Sequence, residues 1–240
     1  KRVLPLFSIP TTAGTGAEVT PFGTMWDQSA RNKYSLASPL LYPKAVFLEP
    51  ELTLSLPALE TLVGGLDTLS HALETLWGTR ANPASLVLAR ESLRMAIDWL
   101  PRVLEDGASL EARTGMQAAS MIAGMALSQS RTAVAHVMSY PLTLSFGVPH
   151  GLACAFALPA LIALTGRKRS WRSSDDERLA NEAAAVMNDL DMPSLMGGYG
   201  ATGDTCSLLE ENFIPEWADH FVPGLSREEF IAVVRESLGG

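Results

Sequence analysis

Cysteine is almost absent: Cys154 and Cys206 are the only two in 240 residues. They form neither a spaced metal motif nor a redox pair, and nothing in their placement suggests a disulfide scaffold. A reducing, cytoplasmic setting is the expectation. Basic charge is also short. Lys and Arg number 18 against 26 Asp and Glu, the net charge is −8 and the sequence pI is about 5.0. That balance argues against nucleic acid or an anionic membrane as a partner. The most apolar stretch, 152–164, is too short to span a bilayer and carries Pro159. No signal-peptide pattern is visible. There is no initiator Met either. The chain opens on Lys1-Arg2 and runs straight into an apolar segment, so an upstream portion is expected.

Hydrophobic residues make up 47% of the chain, enough for a sizeable core in one large domain or two small ones. Residues 1 to about 50 read as β-rich. Short strands are predicted at Val3–Ile9 and Ala45–Leu48, and a hairpin pairs Val19–Trp26 with Lys33–Leu36 around Asp27–Asn32. From Pro57 the period changes. Leu59, Leu62, Leu66, Leu69, Leu73 and Leu76 recur at three or four, which predicts a helix with Pro57 in its first turn. Further helices are predicted near 84–104, 109–129, 132–146, 151–165, 175–189 and 227–238. The last begins at a capping-box pattern of Ser226 and Glu229. The segment 166–176 reads as a polar loop and 193–205 as irregular. The small residues of Ala118–Ser128 predict close helix–helix packing.

Three of the four histidines fall in two short motifs. In GGLDTLSHALE, Asp67 and His71 are four apart on the predicted helix, so both side chains reach one point from one face, and Glu74 continues the stripe. In AVAHVMSYPLTLSFGVPHG, His136 and His150 stand at either end of a helix and a Gly-Val-Pro turn. One carboxylate and three imidazoles form a donor set for Fe²⁺, Zn²⁺, Co²⁺ or Ni²⁺. Such a set serves a structural ion, or a catalytic one if a further position stays open. The competing reading is simpler: an Asp–His hydrogen bond at helical spacing and satisfied core histidines. His220 has no partner motif and reads as structural or exposed. Ahead of these motifs, Pro10–Glu18 (PTTAGTGAE) follows a strand. Its two glycines let backbone approach a ligand closely and its hydroxyls can bond phosphate or ribose, yet the segment also serves as a plain turn.

These segments together, PTTAGTGAEVT, GGLDTLSHALE with ANP after it, and AHVMSYPLTLSFGVPHG, resemble the iron-containing alcohol dehydrogenase family of the dehydroquinate-synthase-like superfamily. The resemblance holds in order and spacing to Pro159 and is loose beyond Gly166. It implies a fold of two parts: residues 1–55 as the end of a nucleotide-binding α/β domain, and residues 56–240 as an all-helical metal-binding domain. It implies that Asp67, His71, His136 and His150 hold Fe²⁺ or Zn²⁺, which acts as a Lewis acid on an alcohol or carbonyl oxygen. Hydride then passes between that carbon and NAD or NADP. Thr11, Thr12, Gly14, Thr15 and Gly16 would line the cofactor, and Lys33 matches a lysine that approaches its ribose; an ordinary strand-end charge is the other reading of Lys33.

The family's sheet and Gly-rich pyrophosphate loop precede the matched segments, so this chain is expected to keep the metal site with little cofactor affinity. Many members carry a His four residues after the position of His136, where it can shuttle a proton; Tyr140 stands here. The SYPLT run with Arg131 upstream looks like the branch that reduces phosphonoacetaldehyde. Arg131 is then the candidate contact to a phosphonate, ahead of Arg80, with a helix-end ion pair as the plainer role for Arg131. The expected protein is a metal-dependent alcohol dehydrogenase or aldehyde reductase acting on a small aldehyde or alcohol, a homodimer in its full-length form. Its alternatives are a glycerol-dehydrogenase-like or dehydroquinate-synthase-like relative, and a truncated metal-binding helical module without turnover.

Overall fold

The leucine repeat after Pro57 builds the helix on which the rest is assembled. In the computed structural model, which describes residues 3–27, 29, 32–202, 205–211, 213 and 220–239, helix α1 spans Ala58–Trp77. Pro57 caps this helix and Ala58 opens it, one residue later than expected. Every residue from Gly65 to Gly78 is buried. Leu66, Leu69, Leu73 and Leu76 are fully buried, while Leu59 lies at the exposed first turn. Helices α2 (Pro83–Glu105), α3 (Leu110–Ser130), α4 (Val134–Phe146) and α5 (His150–Ala155) all pack on α1. A central helix buried on all sides can hold polar side chains out of water, and α1 carries the first candidate motif.

The remaining helices close the core behind it: α6 (Leu158–Arg167), α7 (Ser174–Asn188), α8 (Met192–Gly197), α9 (Cys206–Glu211) and α10 (Arg227–Ser237). The predicted helix 151–165 is in fact α5 and α6, broken at Phe156–Ala157. Pro159 stands in the first turn of α6, where its missing N–H is not needed. By composition His150–Arg167 passes as a membrane span, but 72% of it is buried inside the protein. The stretch 193–205 is not wholly irregular. Pro193 lies in the first turn of α8, and Asp191 accepts from the Ser194 amide to cap it. The capping box of α10 is present, with Ser226 and Glu229 each accepting the other's backbone N–H.

The β-rich segment is thinner than predicted. Strands β1 (Phe7–Ser8) and β4 (Ala45–Val46) form one parallel pair. Strands β2 (Phe22–Asp27) and β3 (Asn32–Ala37) form the predicted hairpin, with Trp26 opposite Lys33; its turn residues 28, 30 and 31 lie outside the described residues. Val19 belongs to a short 3₁₀ turn rather than to β2.

The glycines of the PTTAGTGAE turn serve packing. A Cβ on Gly14 would meet the Gly64 Cα of α1 at 2.8 Å, and Gly16, at φ +58°, crosses Gly124 of α3. The small residues of α3 therefore receive this turn as well as the neighbouring helix, since Gly115 lies against the Trp99 ring of α2. Gly64→Ala is expected to destabilise the protein by about 1–3 kcal/mol, because the new methyl meets the Ala13 carbonyl, which is backbone and cannot rotate away. Urea unfolding measures it; an unchanged midpoint would show that the crossing is not tight.

Candidate metal centre

Three helices converge on one point. Helix α1 offers Asp67 and His71 one turn apart, α4 offers His136 on its first turn, and the Gly147-Val148-Pro149 turn returns the chain so that His150 opens α5. Gly147 takes the left-handed conformation that ends α4, at φ +68°. Asp67 Oδ1 lies 3.5 Å from His136 Nε2 and 3.6 Å from His71 Nε2. The His71 and His136 rings stack at 4.8 Å, and His150 meets His136 edge-on at 5.4 Å.

Glu74, fully buried, aligns this group. Its carboxylate accepts the backbone amides of Ala133 at 2.8 Å, Ala135 at 2.5 Å and His136 at 3.3 Å, and it lies 2.7 Å from His136 Nδ1. An ionised carboxylate only accepts, so Nδ1 carries a proton, and Nε2 is the nitrogen left to give its lone pair to a metal ion in place of a proton. The same carboxylate caps the start of α4, which has no side-chain cap of its own.

The electrostatics follow from burial and proximity. Burial opposes the Asp67 charge, but His71, His136 and His150 overcome it and hold the carboxyl far below the usual range. Burial drives His71 down to about 4 despite the pull of Asp67. Burial also opposes a charge on His136, which the Cys154 thiolate and Glu74 outweigh, raising it well above an ordinary imidazole. Glu74 is lowered against its own burial by His136 and by the amides it accepts.

Buried polar atoms are seldom left without partners. Here Asp67 Oδ1 and His136 Nε2, which face each other, are buried and have none; His71 Nδ1 also has none, but it is the other nitrogen, Nε2, that lies nearest Asp67. Nitrogen and oxygen donors on one tetrahedral ion are separated by about 3.4 Å. The observed 3.5 and 3.6 Å come close to that spacing, and the donor types suit a divalent first-row ion. The residues fit a metal.

A cleft of about 590 Å³ opens above this floor, with Asp67, His71, His136 and His150 among its lining residues. Trp26 of the hairpin stands edge-on to His150 at 5.9 Å and to Tyr140 at 6.2 Å. Lys33 places its ammonium 3.8 Å from the Tyr140 ring centre. Arg131 lines the cleft from the junction of α3 and α4, with a left-handed φ of +70°. Thr15 lines it too. Thr11 and Thr12 are exposed, Gly14 and Gly16 are taken up by helix packing, and Arg80 is exposed; the cleft lining includes none of these five. His220 is half-buried, and its carbonyl accepts from the Thr79 amide. Sequence reasoning missed Cys154, whose sulfur lies among the histidines. The signal was present, because Cys154 follows His150 at the same four-residue spacing that joins Asp67 to His71.

The helical lobe thus carries a buried carboxylate–imidazole cluster, able to hold a metal ion, at the floor of an open cleft. Residues 61–211 match the profile of the Fe-containing alcohol dehydrogenase family, C-terminal, and residues 1–50 match that of iron-containing alcohol dehydrogenase. The chain belongs to the iron-containing alcohol dehydrogenase family. Among its relatives, a phosphonoacetaldehyde reductase of Streptomyces viridochromogenes is 39% identical over 86% of this chain and 51% of its own length. A sulfoacetaldehyde reductase of Bilophila wadsworthia is 31% identical over 82% of this chain and 56% of its own. The solved structure of a sulfoacetaldehyde reductase from Bifidobacterium kashiwanohense, in complex with NAD+, superposes with a TM-score of 0.88 at 25% identity, covering 99% of this chain and 65% of that one. The chain spans about half the length of the curated relatives it matches first. The mostly helical architecture is that of the family's C-terminal domain, as the sequence motifs implied.

Proposed function

We propose that this chain carries the metal centre and substrate cleft of a nicotinamide-linked aldehyde reductase or alcohol dehydrogenase whose substrate is a short aldehyde with an anionic phosphonate or sulfonate head. The observation that carries this reading is the single cleft that joins the unpartnered donors on its floor to two cationic side chains in its lining. Asp67, His71, His136 and His150 would hold the ion, Fe²⁺ or Zn²⁺. When bound, the ion would supply Lewis-acid polarisation of the carbonyl and the reduced nicotinamide, NADH or NADPH, would supply the hydride. The chain's own residues bind and orient. Glu74 fixes the His136 tautomer. Trp26 and Tyr140 wall the aldehyde end, and Tyr140 presents its hydroxyl as a hydrogen-bonding group for the carbonyl oxygen. Arg131 offers a planar fork to an anionic head, and the names of the two reductases above both describe small aldehydes with such a head. Thr15 and Lys33 face the cleft from the side where the cofactor is placed by the family resemblance, with Thr11, Thr12, Gly14 and Gly16 on the same turn.

An aldehyde panel tests this. Arg131→Ala is expected to raise KM for phosphonoacetaldehyde about tenfold or more, the worth of one charge-assisted hydrogen bond, while leaving propanal nearly unchanged. Equal effects on both substrates would remove Arg131 from the anion site. Titration of NAD+ and NADP+ into the 240-residue chain tests the cofactor role separately, and no binding at millimolar cofactor would leave this chain a metal-holding module.

A further inference from the structure

We propose that Cys154 is a sulfur ligand of the metal centre, sharing one ion with Asp67, His136 and His150. The inference rests on the metal-centre reading above and adds a fifth donor to its four, His71 lying outside the tighter group formed by Asp67, His136, His150 and Cys154. One ligand atom from each of these four residues lies within 4.8 Å of all the others. The Cys154 sulfur is 3.7 Å from both ring nitrogens of His150. Sulfur and nitrogen donors on one tetrahedral ion are about 3.6 Å apart. Equal distances to the two nitrogens place the sulfur on the lone-pair axis of neither, so a simple thiol–imidazole hydrogen bond describes the contact poorly. The widest separation has to close by about 1 Å on loading.

Two further observations point to a ligand. Asp67 Oδ1 and His136 Nε2, on side chains 4% and 3% exposed, lack partners and lie in the same cluster as the sulfur. Cys154 also repeats the device of α1, one turn beyond a histidine on the same helix face. A buried cysteine that only fills space sits among apolar neighbours. This one sits among imidazoles, whereas Cys206, also buried, is not part of this cluster. A cysteine binds metal as its thiolate, and coordination itself drives off the thiol proton. A thiolate softens an otherwise nitrogen and oxygen donor set and favours Zn²⁺.

Co²⁺ reports thiolate ligation directly, through a near-ultraviolet sulfur-to-cobalt charge-transfer band distinct from its visible d–d bands. The metal-free 240-residue chain loaded with one equivalent of Co²⁺ is expected to show both. In Cys154→Ser and Cys154→Ala the charge-transfer band should vanish while the d–d bands persist, and Zn²⁺ affinity should fall at least about tenfold. Co²⁺ bound by the unaltered chain without the band would overturn the proposal and leave the four-residue centre standing. A band that survives in either variant would overturn it as well. No Co²⁺ binding at all would sink both this proposal and the metal centre. The unaltered chain decides the question even if a variant fails to fold.

Discussion

Glu74→Ala is expected to be the most damaging single substitution in the helical lobe, costing about 3–5 kcal/mol of stability, the range for removing one partner of a buried ion pair. Three backbone amides at the start of α4 lose their acceptor together, and the His136 imidazole loses its only carboxylate on Nδ1. None of these groups reaches water, so each lost bond leaves a buried donor unsatisfied. Glu74→Gln separates folding from metal binding. The amide keeps the shape and one acceptor oxygen, so the stability loss should be smaller. The His136 tautomer is no longer fixed by charge, and metal affinity should drop about 10–100-fold. Urea unfolding and zinc competition against a chromophoric chelator measure the two quantities. A Glu74→Ala protein with unchanged unfolding and unchanged zinc affinity would end this account of Glu74.

If the proposed function holds, His150→Ala is expected to abolish metal binding and with it any aldehyde reduction, while the fold survives. His150 is half-buried at the first position of a short helix, where its truncation leaves no cavity in the main core. Its loss takes one imidazole from the donor set and opens the cluster toward the cleft. Elemental analysis of the purified variant checks the first part and circular dichroism the second. Metal retained at full occupancy with undiminished turnover would defeat the ligand assignment.

Much of this was legible in the sequence. The leucine spacing after Pro57 marked α1, and the same spacing put Asp67 and His71 on one face. The period of a helix is local, so it survives without any knowledge of neighbours. The capping box at Ser226 was readable for the same reason. Where the expectation failed, the signal was ambiguous or non-local. The apolar run 151–165 has no period that distinguishes one helix from two, and only the placement of Pro159 and the turn at Phe156–Ala157 separates α5 from α6. The Gly14 and Gly16 pattern allows both close ligand approach and close helix approach. Their neighbours Gly64 and Gly124 lie 50 and 108 residues further along the chain, so no local reading could choose between the two.

The sequence by itself put Asp67 beside His71, because a carboxylate and an imidazole at a one-turn spacing on a helix share a face. It also determined that the lobe is helical and its core apolar. Only the tertiary structure decided that α1, α4 and α5 meet at one point and that Glu74 satisfies the amides of a helix beginning 60 residues later. It alone brought a cysteine into the cluster and set Trp26, Lys33 and Arg131 around the opening above it. Those relations are set by packing between segments distant in sequence, where the separation along the chain carries no information about distance in space.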